Sequence, residues 1–316
     1  MTAIIRRLTS LCHHDRFAQV LKLFERFFGY NEEAFMKVSI VIPVYNEAEH
    51  LSACLQAIAR QTVRPFEVIV VDNNSTDGTA AIAAAYDFVT VLHEPRQGVL
   101  HARTRGFDAA RGDIIGRIDA DSLLPRDWVA SVQQVFSDNS VDAVSGVALY
   151  YNVAASSMFN AIDIFFRRRL SWQLKDRVYM WGANMALRRQ AWQQLKPALC
   201  NRGGMHEDYD IAIHLQELGG KVVFDERLKA RVSSRRIDVS YWNFMRYVWV
   251  SPRTYAQHGI RARWHMYWLV LICVVGYLPA RILHRGYDPL TEKFSWSQLA
   301  SSKSAIARVD PTANVA

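Results

Sequence analysis

The sequence has little cysteine, no glycine-rich phosphate loop and almost no long apolar run. Its four cysteines (Cys12, Cys54, Cys200, Cys273) lie far apart, with no CxxC pair and no Cys/His spacing of a zinc motif. That excludes a disulfide framework, argues against a structural zinc site and fits a reducing compartment. Neither G-x-G-x-x-G nor G-x-x-x-x-G-K-[ST] occurs, which disfavours NAD and P-loop chemistry. No secretory leader is expected, because His13, His14, Asp15 and Arg16 interrupt any apolar stretch after Arg6 and Arg7. What is present excludes a disordered chain: 316 residues, 50% of them apolar and 12% aromatic, suffice for a full core.

The net charge of +8 is unevenly placed. From Arg227 to the end there are 14 Lys and Arg against 4 Asp and Glu, whereas the residues before it are close to neutral. Such asymmetry predicts an anionic surface as partner. The same quarter holds the longest uncharged run, Trp264–Ala280, a helix of roughly 25 Å, at the lower limit for crossing a bilayer. Arg261 and Arg263 precede it, and Arg281, His284 and Arg285 follow. Trp264, Tyr267, Trp268 and Tyr277 stand near its ends, as interfacial aromatics do. A buried core helix also fits, but the flanks favour a helix lying in or just under a membrane surface, and they favour lipid headgroups over nucleic acid. Residues 1–36 form an extension whose Phe17, Val20, Leu21, Phe24, Phe27 and Phe28 share one helical face. That face predicts either a second interfacial helix or one packed on the domain.

From Lys37 onward β-branched runs alternate with helical patterns. Val38–Ile42, Phe66–Val71, Phe88–Leu92 and Asp113–Ile118 read as strands, and Glu47–Gln61, Thr79–Tyr86 and Gly98–Ala110 as helices. The alternation predicts an α/β fold with a mostly parallel sheet. Ligands in such sheets bind beyond the carboxyl ends of the strands. Three of those ends are polar: Pro43-Val44-Tyr45-Asn46-Glu47, Asp72-Asn73-Asn74-Ser75-Thr76-Asp77, and Asp119-Ala120-Asp121. Thr76 or Asp77 before a helix is also an ordinary N-cap pattern. Asp119 and Asp121 have only Arg117 nearby to compensate them. Two hard oxygen ligands suit Mg²⁺ or Mn²⁺ together with substrate phosphates. The ligand predicted is a metal-chelated diphosphate.

VSIVIPVYNEAEHLSACLQAI, VIVVDNNSTDGT and GVLHARTRGFDAARGDIIGRIDAD, followed by Trp181-Gly182-Ala183-Asn184 and by HEDYDIAIHLQELGGKVVFD with Glu207-Asp208, together resemble family 2 glycosyltransferases of the GT-A fold, over about residues 37–236. The resemblance implies a Rossmann-like domain there; the apolar run and its basic flanks predict a helical membrane-associated region at 237–290, and 291–316 is expected to be a disordered tail. The resemblance also implies that Pro43, Tyr45 and Glu47 line the nucleotide pocket and that Asp72 contacts base or ribose. By the same resemblance Arg103 approaches the phosphates, Asp119 contacts ribose or sugar, and Asp121 holds the metal, with Asp119 a second candidate ligand. Asp208 would be the general base for the acceptor hydroxyl, in a single inverting displacement. Gly182, Asn184 and Glu207 would belong to the acceptor loops, and Arg235 or Arg236 would close over the diphosphate.

The chain departs from the family at Asn73, where many members carry a second aspartate, and has only Asn243-Phe244-Met245-Arg246-Tyr247 in place of QxxRW. With at most one membrane segment, a processive polymer synthase is not expected. Arg167, Arg168 and Arg169 fit lipid phosphates, an anionic acceptor or a solvated basic face, and His206 either a metal or an acceptor contact. The function implied is transfer of a sugar from a nucleotide-diphosphate sugar, UDP ahead of GDP or dTDP, to a lipid-linked or glycan acceptor at the cytoplasmic face of the cell membrane. This would serve cell-envelope polysaccharide or glycolipid synthesis. A nucleotidyltransferase would need a glycine- and arginine-rich loop after the first strand, which PVYNEAEH is not. An inactive membrane-attached sugar-binding protein is disfavoured by Asp119, Asp121 and Asp208.

Overall fold

A computed structural model describes residues 36–174, 179–200, 203–260, 264–288, 291 and 293–300. The helix expected within 1–36, Arg261, Arg263 and the tail from 301 lie outside the described residues. The chain from Lys37 onward is one compact unit.

Strands β1 (Val38–Val44), β2 (Glu67–Asp72) and β3 (Val89–His93) alternate with helices α1 (Leu51–Ala59) and α2 (Thr79–Ala84). Helix α3 (Val99–Ala109) leads to β4 (Ile114–Ile118), and α4 (Trp128–Phe136) leads to β5 (Ala143–Tyr150). Then come α5 (Ser156–Leu174), β6 (Asn184–Arg188), α6 (Arg189–Leu195), α7 (Glu207–Glu217) and β7 (Val222–Val232). These strands form one sheet in the order β3-β2-β1-β4-β6-β5-β7. The pairs β3·β2, β2·β1, β1·β4 and β5·β7 are parallel, while β6 runs antiparallel to both neighbours. Every residue of β4 and nearly every residue of β1 is buried, as strands covered on both faces must be.

Helix α1 starts at Leu51 rather than Glu47. Asn46 takes a left-handed φ of 53°, and the turn behind it consumes Glu47–His50 before the helix begins. Beyond β7 a short turn at Arg235–Asp238 leads into α8 (Tyr241–Gln257) and α9 (Trp264–Arg285). In place of an unstructured tail from 291, Lys293–Phe294 (β9) pairs with Tyr287–Asp288 (β8), and α10 covers Trp296–Ala300.

The topology gathers the polar ends. The parallel strands β1, β2, β4, β5 and β7 finish on one rim, so residues 43–47, 72–77, 119–121 and 233–236 share it. Because β6 is antiparallel, its beginning lies there instead: Asn184 is in register with Ile118, which brings residues 181–183 beside Asp119. The crevice where strand order reverses falls between β1 and β4.

Candidate active site

The β1 and β2 loops are laced together by their own polar side chains. Asn46 N donates to Ser75 Oγ at 3.0 Å, Thr76 N to Asn46 Oδ1 at 2.8 Å, and Glu47 N to Thr79 Oγ1 at 2.8 Å. Asp77 accepts from Ala48 N and Thr79 N. Beside this floor Pro43 and Tyr45 are half-buried. Asp72 is buried, with Oδ1 accepting from Ser75 N and Oδ2 3.7 Å from His93 Nδ1.

Asn73 explains its own departure from the family. Its amide donates to Glu94 O at 2.9 Å and Arg96 O at 2.7 Å, and its Oδ1 accepts from Gly98 N at 2.7 Å. An aspartate offers no donors for those two carbonyls. Gly98 itself has φ 131°, which needs a residue without Cβ.

Arg235 closes the crevice. Its Nε donates to Asp121 Oδ2 at 2.7 Å, its Nη2 to Glu47 Oε1 at 2.5 Å, and its Nη1 to His50 Nδ1 at 3.2 Å. Burial, with this guanidinium beside it, lowers His50 below the ordinary imidazole value, so the ring accepts as a neutral base. Burial opposes the charge on Arg235, but Asp121 and Glu47 outweigh it and raise the guanidinium above its usual value. Tyr151 Oη donates to the Asp121 carbonyl at 3.2 Å. Arg236 instead lies over the Tyr247 ring, 3.8 Å from its centroid.

The second half of the site is a buried charge cluster. Arg117, on β4, has Nη1 2.9 Å from Glu207 Oε1 and Nη2 3.5 Å from Asp119 Oδ1. It thereby joins the two acidic motifs, and sequence reading missed it as more than a counter-charge. Its signal was a lone arginine inside an otherwise apolar buried strand. Asp208, at the start of α7, accepts from Gly182 N at 2.7 Å and Tyr209 N at 3.0 Å. Burial raises the Asp208 carboxyl above its ordinary value, against the pull of Arg117 and these two donors. Burial raises Glu207 as well, against Arg117 and Arg103. A Cβ on Gly182 would overlap the Arg117 guanidinium, so the loop passes where only glycine fits.

Three expectations are corrected. Arg103 does not reach the rim: it is wholly buried, 3.3 Å from Glu207 and stacked on Trp192 and Phe107, because Ala102, Arg103, Gly106 and Phe107 form the inward face of α3. Asn184 is not an acceptor contact. It is fully buried on β6, where its amide donates to Val147 O and Leu228 O at 2.9 Å each and accepts from Trp128 Nε1 at 2.8 Å. Arg167 is not a lipid contact either, since it pairs with Asp163 at 2.5 Å and stacks 3.5 Å from the Trp181 ring centre. Arg168 binds Glu226, and Arg169 is exposed. His206 packs between Tyr209 and Tyr247.

The carboxylates of Asp121 and Glu47 converge on the Arg235 guanidinium, and Asp119 faces that of Arg117. This donor set fits a hard divalent cation held by Asp121 and Asp119.

Residues 39–195 match the family model described as "Glycosyl transferase family 2". The chain carries a family 2 glycosyltransferase domain. It is 32% identical over 167 residues to Glycosyltransferase AglE of Haloferax volcanii, covering 51% of this chain and 55% of that one. It is 32% identical over 148 residues to the undecaprenyl-phosphate 4-deoxy-4-formamido-L-arabinose transferase of Serratia proteamaculans, covering 44% and 42%. The chain therefore spans about half the length of these curated relatives. Among solved structures it resembles the mannosyltransferase PcManGT of Pyrobaculum calidifontis, in complex with GDP-Man and Mn²⁺, with a TM-score of 0.57 and 20% identity over 87% of this chain and 83% of that one. At that identity the likeness establishes the GT-A fold.

Proposed function

We propose that the chain is a metal-dependent, inverting glycosyltransferase that moves a sugar from a nucleotide-diphosphate sugar to a hydroxyl of a lipid-linked or glycan acceptor. The observation that carries this reading is the pairing, on one rim, of an acidic crevice closed by Arg235 with a buried carboxylate held by Gly182. Pro43, Tyr45 and Asp72 frame a place for the nucleoside, with UDP the first candidate. A divalent ion on Asp121 and Asp119 would neutralise the departing diphosphate. Arg235, paired with Asp121 and Glu47 at the same rim, would be placed to donate to the diphosphate oxygens. Asp208 takes the acceptor proton, the acceptor oxygen bonds to the anomeric carbon, and the nucleoside diphosphate leaves with the electron pair from the opposite face. Such base assistance is worth about 10²–10⁴-fold. A phosphate acceptor, the class named for the Serratia relative, arrives already ionised and needs no base. The buried Asp208, with its raised carboxyl, favours a hydroxyl.

The acceptor reading extends to a membrane. Met266–Arg285 is long and apolar enough to cross one by length and composition. Yet Met266, Val270, Tyr277, Ala280 and His284 are buried against the domain, while Trp268, Leu271, Val275, Leu278 and Ile282 are exposed. These residues fall on opposite faces of one helix, the pattern of a helix lying in the interface plane. On α8 the exposed Trp242, Arg246, Trp249 and Arg253 follow one another at helical spacing, and Trp249 touches Tyr267 of α9. Interleaved aromatic and basic side chains suit an anionic headgroup layer, which supports the cytoplasmic face of the cell membrane.

The test is nucleoside diphosphate release by the detergent-solubilised full chain across UDP-, GDP- and dTDP-sugars, with and without Mn²⁺, beside Asp121→Asn. Metal-dependent release from one donor, lost in the variant, is expected. Neither release nor binding of any donor would overturn the reading.

A further inference from the structure

We propose that Cys200, Asp210, His214 and His258 form a tetrahedral zinc site that pins α7 to the C-terminal end of α8, separate from the carboxylates of the sugar-donor crevice. One ligand atom from each of the four lies within 4.8 Å of every other. His258 Nε2 is 3.1 Å and His214 Nε2 3.3 Å from Asp210 Oδ1, and Cys200 Sγ is 3.5 Å from His214 Nε2. These three separations match edges of a metal tetrahedron, and the other three lie within the same 4.8 Å limit. With zinc–nitrogen and zinc–oxygen bonds of about 2.05 Å and a zinc–sulfur bond of about 2.3 Å, the ligand-to-ligand edges come to about 3.3 Å and 3.5 Å.

Hydrogen bonding accounts for only part of the cluster. Asp210 Oδ1 and His258 Nε2 are buried and neither has a hydrogen-bond partner, although they lie 3.1 Å apart. An imidazole nitrogen and a carboxylate oxygen that crowd one another without bonding suit a shared centre. The remaining valences are organised as metal ligands require. Asp210 Oδ2 accepts from Cys200 N at 3.0 Å, which turns Oδ1 toward the imidazoles. His214 Nδ1 is 3.1 Å from Glu217 Oε2, so a carboxylate orients the ring and leaves Nε2 for the metal. The two rings stand nearly perpendicular, at 79°.

One thiolate, one carboxylate and two neutral imidazoles cancel the charge of a divalent ion, so the complex is neutral where it is buried. A soft sulfur, two nitrogens and one oxygen in tetrahedral array select zinc over Mg²⁺ or Mn²⁺. Standard motif spacing conceals the set. Asp210 and His214 share one face of α7 at i,i+4, but Cys200 precedes the helix and His258 caps α8, far along the chain. The expectation that cysteine and histidine spacing argues against a structural zinc therefore holds only for contiguous motifs. The mechanical consequence concerns α7, whose first residues are Glu207 and Asp208. With His206 N bonded to Thr254 Oγ1 at 3.0 Å, a zinc at Asp210 makes α8 a fixed support for both ends of that turn.

The test is metal analysis of the full chain purified without added metal, followed by cobalt substitution. About one zinc per chain is expected, retained in Asp121→Asn. Exchange for Co²⁺ should give intense tetrahedral ligand-field bands and a thiolate-to-cobalt charge-transfer band, with the latter lost in Cys200→Ser. The cobalt spectrum of the unaltered chain needs no variant to fold. Absence of bound zinc, a weak octahedral cobalt spectrum, loss of zinc in Asp121→Asn, or a charge-transfer band that survives Cys200→Ser would each overturn the site.

Discussion

As the proposed base, Asp208 must be buried enough to be basic and bonded enough to stay in place, and Gly182 N and Tyr209 N supply the second condition. Asp208→Asn keeps the size and removes the proton acceptor. Turnover should fall about 10²–10⁴-fold while donor binding, followed by calorimetry, changes little; unchanged turnover would remove Asp208 from the role. Asn184 makes the opposite case, a motif residue whose work is inside the sheet. Asn184→Ala strands the Trp128 indole N–H and the Val147 and Leu228 carbonyls in a dry core. Each buried polar group left unpaired costs about 1–3 kcal/mol, so a loss of at least about 2 kcal/mol in denaturant unfolding is expected, with no separate defect in donor affinity. A specific loss of acceptor affinity at full stability would return Asn184 to the acceptor site.

At the scale of elements, α9 is clasped at its end. Asp238, in the turn after β7, has Oδ2 2.7 Å from His284 Nε2 and accepts from Arg285 Nε at 3.1 Å. His284 Nδ1 lies 2.8 Å from both Ser234 Oγ and Asn152 O. The clasp therefore holds the same short segment that carries Arg235. Burial works to raise the Asp238 carboxyl, but the His284 and Arg285 bonds outweigh it and hold it at about 2. A carboxyl depressed in the folded state, against about 3.9 unfolded, contributes its stability above about pH 4 and loses it as pH falls toward 2. Asp238 is partly open to solvent, which screens the pair to about 1 kcal/mol. Asp238→Asn should accordingly be less stable than the parent near pH 6, with the difference vanishing between pH 4 and 2. A constant difference across that range, by thermal unfolding, would contradict the clasp.

At the scale of the whole unit from Lys37 onward, which holds the crevice, the charge cluster and the amphipathic helices, a membrane docked on the exposed stripe of α9 would also orient the rim. The exposed stripe of α9 is the sensitive place. Burying an apolar side chain contributes about 1.5–3 kcal/mol, so Leu271→Asp with Val275→Asp should lower co-sedimentation with vesicles containing anionic phospholipid by about tenfold or more. The unaltered chain should also bind less at high salt, where headgroup attraction is screened. Equal partitioning of the double variant would assign the stripe to something other than lipid.

The strand and helix alternation, the polar strand ends, the absence of P-loop and dinucleotide motifs, and the basic apolar C-terminal quarter were all written in local pattern, because periodicity and turn chemistry act over a few residues. Burial, pairing and distance across the fold act over the whole chain, and these decided the rest. Arg103 reads as a phosphate ligand until α3 turns it into the core. Asn73 reads as a lapsed aspartate until three backbone groups of the β3–α3 loop converge on it. Arg117 on β4 meets Glu207 at the start of α7, far along the chain, and Arg235 meets Asp121 across 114 residues of sequence. No local pattern records such meetings, since a side chain's partners are set by which strand ends share a rim.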